Sequence, residues 1–320
     1  MKKILAMLLA VMMLLSVASV AMAEGTTTPT DMTTVTIKKV YKLANAGTTS
    51  PDETFTLQQV GNGTVTNGEA TSAPALGAIT GANFTEGAAT VEGFTGDITV
   101  ALPEYTNVGV YEYTLKEVAG TTAGVNYYGN NIKLVVTVVN SGNGKLRIAA
   151  VHTEAVGGNK SDTFVNTYSA GTLKVSKTVT GNLGDKDKYF EFKVTLTGET
   201  GKTYGDSYAV TGGSASNPTS IKIGEETTFQ LKHDDTLSIA NLPYGVTYTV
   251  TETAVDGYTT TKTGDTGSIN AAEQTAAFTN DKAGNPDMGV TTENLPYVLL
   301  IGFVVLAGAA LLLKRKAHNN

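Results

Sequence analysis

The sequence predicts an all-β fold of two tandem β-sandwich domains, and three observations carry that reading. Short runs of alternating apolar and polar residues recur between residues 34 and 282, and no apolar pattern of helical period and useful length lies outside the two termini. Glycine and threonine are abundant, tryptophan is absent, and the few prolines fall at turns. The same order of polar residues also occurs twice inside those runs: Lys39, Glu117 and Asn166, then Lys177, Glu252 and Asn280.

In the first domain, residues 24–169, the two-residue period predicts strands at Val35–Leu43, Glu53–Val60, Ile98–Leu102, Gly109–Val118, Ile132–Asn140, Lys145–His152 and Thr163–Asn166. The Gly/Ala/Thr-rich stretch Gly61–Thr95 reads as a partly ordered excursion with short strands of its own. In the second domain, residues 170–284, strands are expected at Thr172–Thr180, Tyr189–Thr197, Ser207–Thr211, Glu226–Leu231, Thr236–Ile239, Thr247–Thr253 and Ala276–Thr279. Each copy opens with a lysine-bearing strand and follows it with a Phe-Thr-Leu or Phe-x-Phe strand. Each then has a tyrosine-rich strand ending in glutamate and closes on Phe-x-Asn. Seven or so short strands per copy argue for sandwiches of immunoglobulin-like shape. Lysine and asparagine meet only if the opening and closing strands pair or neighbour one another.

The polar triads are in phase with apolar neighbours, and alternate side chains of a strand share a face. Val35 and Ile37 point with Lys39, and Leu173 and Val175 with Lys177. Tyr113 and Leu115 point with Glu117, Tyr248 and Val250 with Glu252, Phe164 with Asn166, and Phe278 with Asn280. If the apolar residues face the core, each domain buries an amine, a carboxyl and a carboxamide together. Buried charge is costly unless paired or neutralised, and joining the amine to the carboxamide removes much of that cost.

The termini are equally legible. Lys2 and Lys3, an apolar run from Ile4 to Val20 and Ala21-Met22-Ala23 form a secretory signal peptide, residues 1–23, with the mature chain starting at Glu24. Residues 297–313 are an unbroken apolar or small run, roughly 25 Å as a helix at ~1.5 Å per residue, and read as a transmembrane segment. The basic tail 314–320 follows and keeps that end in the cytoplasm. The segment between is long enough for two cores. It has no cysteine, so any covalent staple is not a disulfide. The formal net charge of −6 comes without a clustered Lys/Arg stripe, which argues against nucleic acid as a partner.

Just before the apolar run stands Asn285-Pro286-Asp287-Met288-Gly289. A proline-x-x-glycine pentapeptide, an apolar span and a basic tail resemble the C-terminal sorting signal read by sortase transpeptidases. Asn285 and Met288 stand where the usual pentapeptide has leucine and threonine. The resemblance places cleavage between Met288 and Gly289; Leu295-Pro296 is the weaker candidate, abutting the apolar run with no Thr-Gly after it.

The triad segments resemble the backbone pilins of Gram-positive bacteria, whose domains have the collagen-adhesin B-type fold with self-made isopeptide bonds. The second domain carries Leu173-Lys-Val-Ser-Lys177, Asn241-Leu-Pro-Tyr-Gly-Val-Thr-Tyr-Thr-Val-Thr-Glu252 and Phe278-Thr-Asn280. The first carries Val108-Gly-Val-Tyr-Glu-Tyr-Thr-Leu-Lys-Glu117 and Phe164-Val-Asn166. The resemblance implies Lys39–Asn166 and Lys177–Asn280 cross-links, promoted by Glu117 and Glu252. Complete burial lowers a lysine pKa and raises a carboxyl's by up to ~3–5 units, giving a nucleophilic amine beside an acid that polarises the carboxamide. The event happens once per domain, so the chain is no enzyme in the turnover sense.

The resemblance further implies a surface protein, secreted and then wall-anchored, that is a substrate of sortase. Its partners are neighbouring copies, joined through Met288 and Lys160, and peptidoglycan. Lys160 is singled out by its place in Gly157-Gly-Asn-Lys-Ser-Asp162, just before the last strand of the first domain. The alternative is a monomeric wall-anchored adhesin or stalk that binds a host or bacterial surface ligand. An enzyme reading finds little support. The histidines are His152, His233 and His318, and no phosphate loop or Gly-x-Ser-x-Gly elbow occurs. His233-Asp234-Asp235 reads as a polar turn, and Asp185-Lys-Asp187 lacks the further acidic ligands of a calcium loop. No metal or cofactor is expected.

Overall fold

The computed structural model describes residues 31–284, apart from Asn143 and Val156. The signal peptide, the pentapeptide Asn285–Gly289, Leu295-Pro296, the apolar run 297–313, the basic tail and His318 lie outside the described residues. Everything regular among the described residues is β-structure.

The first sandwich starts with β1 (Thr34–Leu43), β2 (Glu53–Phe55), β3 (Leu57–Gln59), β4 (Thr64–Thr66), β5 (Ile79–Thr80) and β6 (Ala82–Phe84). It continues with β7 (Phe94–Ala101), β8 (Gly109–Glu117), β9 (Val125–Asn126), β10 (Asn131–Gly142), β11 (Lys145–Glu154) and β12 (Thr163–Tyr168). One sheet has the order β5-β7-β1-β12-β9, and the facing sheet β11-β10-β8-β3, with β4 also on β8. The two-residue period is cleanest in β8, where Gly109, Tyr111, Tyr113, Leu115 and Glu117 are buried and the residues between are not.

The second sandwich holds β13 (Ala170–Thr180), β14 (Phe190–Thr197), β15 (Tyr208–Gly212), β16 (Ser220–Ile221) and β17 (Glu226–Leu231). Its remaining strands are β18 (Thr236–Pro243), β19 (Thr247–Glu252), β20 (Thr259–Thr263), β21 (Thr266–Ser268) and β22 (Glu273–Asp281). The sheets run β16-β15-β18-β13-β22-β20 and β17-β14-β19-β21. Each sandwich has its own apolar core, centred on Tyr41, Phe55, Tyr113 and Leu115 in the first and on Phe190, Phe192, Val250 and Phe278 in the second.

In both sandwiches the opening and closing strands are direct neighbours, and they run parallel: β1 beside β12 and β13 beside β22. A parallel neighbour cannot be reached through a tight turn. The rest of each domain is therefore the crossover that brings lysine and asparagine side by side.

Several elements differ from the sequence expectation. The single strand expected at Glu53–Val60 is broken at Thr56: β2 pairs with β6, whereas β3 joins β8, with Leu57 opposite Glu117. The break lets the chain move from one edge to the facing sheet while keeping both Phe55 and Leu57 buried. The expected strand at Ile98–Leu102 begins earlier, at Phe94, because the polar Gly96 and Asp97 still continue the ladder to β1. The Gly61–Thr95 excursion contributes β4, β5 and β6, so it is stitched into both sheets. Strand β20 is exposed along its whole length and carries no apolar alternation to announce it.

Candidate functional site

In the first sandwich β1 sends Ile37, Lys39 and Tyr41 inward, and all three are at most 1% exposed. Beside it, Phe164 is level with Lys39 and Asn166 with Tyr41, so the carboxamide lies one pleat further along on the same face. Glu117 arrives from the opposite sheet at the end of β8. Lys39 Nζ donates to Asn166 Oδ1 at 2.7 Å and to Glu117 Oε2. Asn166 Nδ2 donates to Glu117 Oε1 at 2.5 Å, and the Tyr128 backbone N–H reaches the same oxygen at 3.2 Å. The rings of Phe55 and Tyr128 have their centroids 5.2 and 5.7 Å from the amine.

The second sandwich repeats the arrangement with the same stagger. Lys177 is level with Phe278, and Asn280 is level with Val179. Glu252 again ends a strand of the facing sheet, opposite Phe192 of β14. Lys177 Nζ donates to both Glu252 oxygens at 2.9 Å, and Asn280 Nδ2 donates to Glu252 Oε1 at 2.5 Å. Asn280 Oδ1 is buried without a hydrogen-bond partner. The Phe190 ring lies 4.2 Å from the amine, closer than any ring does in the first site.

All three polar groups of each triad are thus out of water, as the phase of the strands predicts. Lysine and glutamate side chains are 1% and 1% exposed in the first pair and 0% and 3% in the second. Burial holds Lys39 below the usual lysine range, against the opposing pull of the Glu117 charge and hydrogen bond. Lys177 is lowered for the same reason, opposed by Glu252. Moving one proton along the Lys–Glu hydrogen bond converts a buried ion pair into a neutral amine and a neutral acid, which an apolar chamber favours. A neutral amine in contact with a carboxamide, with an acid bridging them, is equipped for acyl transfer.

Lys160 is exposed on the loop between β11 and β12, which bridges back to Glu154. Gly157 and Gly158 have positive φ there, and Ala155 N–H to Asn159 O (2.8 Å) and Ser161 N–H to Thr153 O (3.0 Å) close the loop. The Glu154 carboxylate is engaged by His152 at 3.0 Å and Lys133 at 3.5 Å. His233-Asp234-Asp235 is a turn between β17 and β18. Among the described residues no group of three His, Cys, Asp or Glu is placed to hold a metal ion. The sequence reading missed the Tyr128 amide, since a backbone donor in the loop after Asn126-Tyr127 leaves no mark in residue type or period.

Comparison with known proteins places this geometry in context. Residues 35–169 match the family described as the Spy0128-like isopeptide containing domain, and residues 171–282 match a domain of unknown function. A curated pilin of Streptococcus pyogenes serotype M1 is 28% identical over 313 residues, covering 88% of this chain and 90% of the relative. The pilus tip adhesin Cpa of Streptococcus pyogenes is 32% identical over 128 residues, which are 38% of this chain and 18% of that protein. Among solved structures, the major pilin from Streptococcus pyogenes shares the fold, with a TM-score of 0.55 at 22% identity over 80% of this chain and all of the other. The first domain thus matches the isopeptide-containing family, and nearly the whole length of the chain is similar to a curated pilin of Streptococcus pyogenes.

Proposed function

We propose that this chain is a structural subunit of a surface pilus whose two domains each close an intramolecular Lys–Asn isopeptide bond, and that sortase joins successive copies. The observation that carries this reading is the same buried Lys–Glu–Asn triad, with the same strand stagger, in both sandwiches. After a half-turn of the Asn166 carboxamide, whose Nδ2 otherwise donates to Glu117, the protonated Glu117 donates to the carboxamide oxygen while the neutral Lys39 amine attacks Asn166 Cγ. Collapse of the tetrahedral intermediate forms the Nζ–Cγ amide bond and expels the side-chain nitrogen as ammonia, with the glutamate relaying the proton it needs. Lys177, Glu252 and Asn280 do the same. In that domain a half-turn of the carboxamide sets Oδ1 against the protonated Glu252 and leaves the departing nitrogen unpartnered. The reaction consumes its own residues and is not turnover.

Outside the domains, sortase cleaves between Met288 and Gly289 and passes the Met288 acyl group to Lys160 of a neighbouring copy. The last copy goes to peptidoglycan, giving a secreted, wall-anchored fibre. The exposure of Lys160 on a pinned loop supports this assignment.

Intact mass of residues 24–284, expressed without sortase, is the test. Two ammonia molecules are expected to be missing, and Glu117→Ala and Glu252→Ala each to restore one. A full, unmodified mass would refute the isopeptide reading. The resemblance to a tip adhesin favours a second reading, a monomeric wall-anchored stalk that binds a surface ligand. With the matching sortase, the shaft reading expects high-mass ladders from wild type and none from Lys160→Ala; a wild type without ladders favours the stalk.

A further inference from the structure

Past Ser176, strand β13 loses its antiparallel partner: the ladder to β18 ends at the pair Ser176 and Thr236. The backbone of the reactive lysine lies just beyond that end. It is held there by the turn that joins β17 to β18. Lys177 N–H donates to Asp235 O at 3.0 Å, and Asp234 N–H donates to Lys177 O at 2.9 Å. The next inward-facing residue, Val179, has its N–H directed to the same side, where no strand remains. Its partner is a side chain: Val179 N–H donates to His233 Nδ1 at 3.0 Å.

That bond fixes the tautomer, because an accepting Nδ1 leaves the ring proton on Nε2, which faces Asp234 Oδ2 at 3.3 Å. The turn is itself braced. Asp235 accepts from Lys232 N–H at 3.0 Å and from the Ser214 hydroxyl at 2.8 Å, and Asp234 sits in the left-handed region at φ 63°. The first domain needs no such device. There β7 runs on past Lys39 to pair with Val40 and Tyr41, so strand backbone does what His233 does in the second domain.

We propose that His233 is a positioning residue for cross-linking of the second domain, standing in for a missing strand partner and holding residues 177–179 so that Lys177 Nζ meets Asn280. The proposal rests on the isopeptide reading. Without the imidazole acceptor the Val179 amide is orphaned, the strand end loosens, and the amine spends less time aligned.

The first domain provides an internal clock for the test. The full-length chain is made in a detergent-supplemented cell-free reaction, quenched in denaturant at successive times, and each ammonia loss is assigned by peptide mapping. In His233→Ala the Lys177–Asn280 bond is expected to form about tenfold more slowly, the worth of one aligned hydrogen bond, while Lys39–Asn166 forms at the wild-type rate. His233→Asn, whose Oδ1 can take the place of Nδ1, should run close to wild type. Equal rates for His233→Ala and wild type would overturn the proposal, as would equal slowing of both domains or a His233→Asn no faster than His233→Ala. A wild type that loses no ammonia would instead bring down the isopeptide reading, and this role with it.

Discussion

At Lys39 and Lys177 one physical conflict stands out: a long basic side chain is held in an apolar chamber where, among the described residues, its one counter-charge is a glutamate from the facing sheet. The proposed covalent closure would resolve the conflict by deleting the amine, and this has a consequence in pH. If closure is blocked with Asn166→Ala and Asn280→Ala, both lysines stay buried with their pKa held down by burial. Each Lys–Glu pair shares one proton, whichever partner holds it, and burial makes the folded pair shed it below the ordinary lysine value of about 10.4, so stability rises with pH up to that value and levels off above it. The cross-linked protein has no titrating group at either position and should lack that component. Burial also raises the phenols of Tyr41 and Tyr168, and that of Tyr127 to about 12, but these act alike in both proteins and only at higher pH. Denaturant midpoints between about pH 7 and 9.5 should therefore climb in the double variant relative to wild type. Parallel curves would mean that the folded lysines keep their protons over this range and that burial does not lower their pKa.

Strand phase alone assigns the triads to the core face, because a two-residue period leaves Lys39 no choice of face once Ile37 and Tyr41 are in the core. What phase could not supply was pairing. Nothing in the residues from Thr34 to Tyr168 says that β1 and β12 run parallel, and the break at Thr56 is a change of partner without a breaker residue. The joint between the sandwiches was similarly illegible, since its polar residues sit in the loop after β1, in the turn after β18 and at an irregularity within β18 itself. Asn241, at φ 59°, donates to Thr49 O and accepts from Thr49 N–H, both at 2.9 Å. Asn45 Nδ2 donates to the Tyr244 hydroxyl at 2.7 Å and to Ala170 O at 2.8 Å. Asn241→Gly keeps the left-handed backbone available and removes only the carboxamide. It should leave the core of each domain intact, with a stability change within about 1 kcal/mol, while the Thr49 amide exchanges with solvent at least about tenfold faster. Unchanged exchange at Thr49 would show that the joint is held by something other than this pair of hydrogen bonds.

Across the whole molecule the two proposed cross-links would do different mechanical jobs, because of where the proposed intersubunit bonds attach. Load entering at Lys160 passes into β12, continues through Ser169 directly into β13, and reaches Lys177. There it can cross to Asn280 and leave along β22 toward the C-terminal end, so the chain between those two residues is bypassed. In the first domain the same load runs down β12 through Asn166, and everything before Lys160 lies off the covalent path. The Lys39–Asn166 bond, closing a separation of 127 residues, should then matter chiefly for thermal stability, by about 5 kcal/mol on a chain-entropy argument. The Lys177–Asn280 bond should matter for length under force. Pulled between residue 160 and the C-terminal end in a single-molecule experiment, Asn280→Ala should show an unfolding step that releases about 100 residues, roughly 300 Å at ~3.3 Å per residue. Asn166→Ala should show no step of that size, since the segment of the first domain under load is already extended strand. An equal lengthening of both variants would mean that load does not enter at Lys160, and a different attachment lysine would have to be sought.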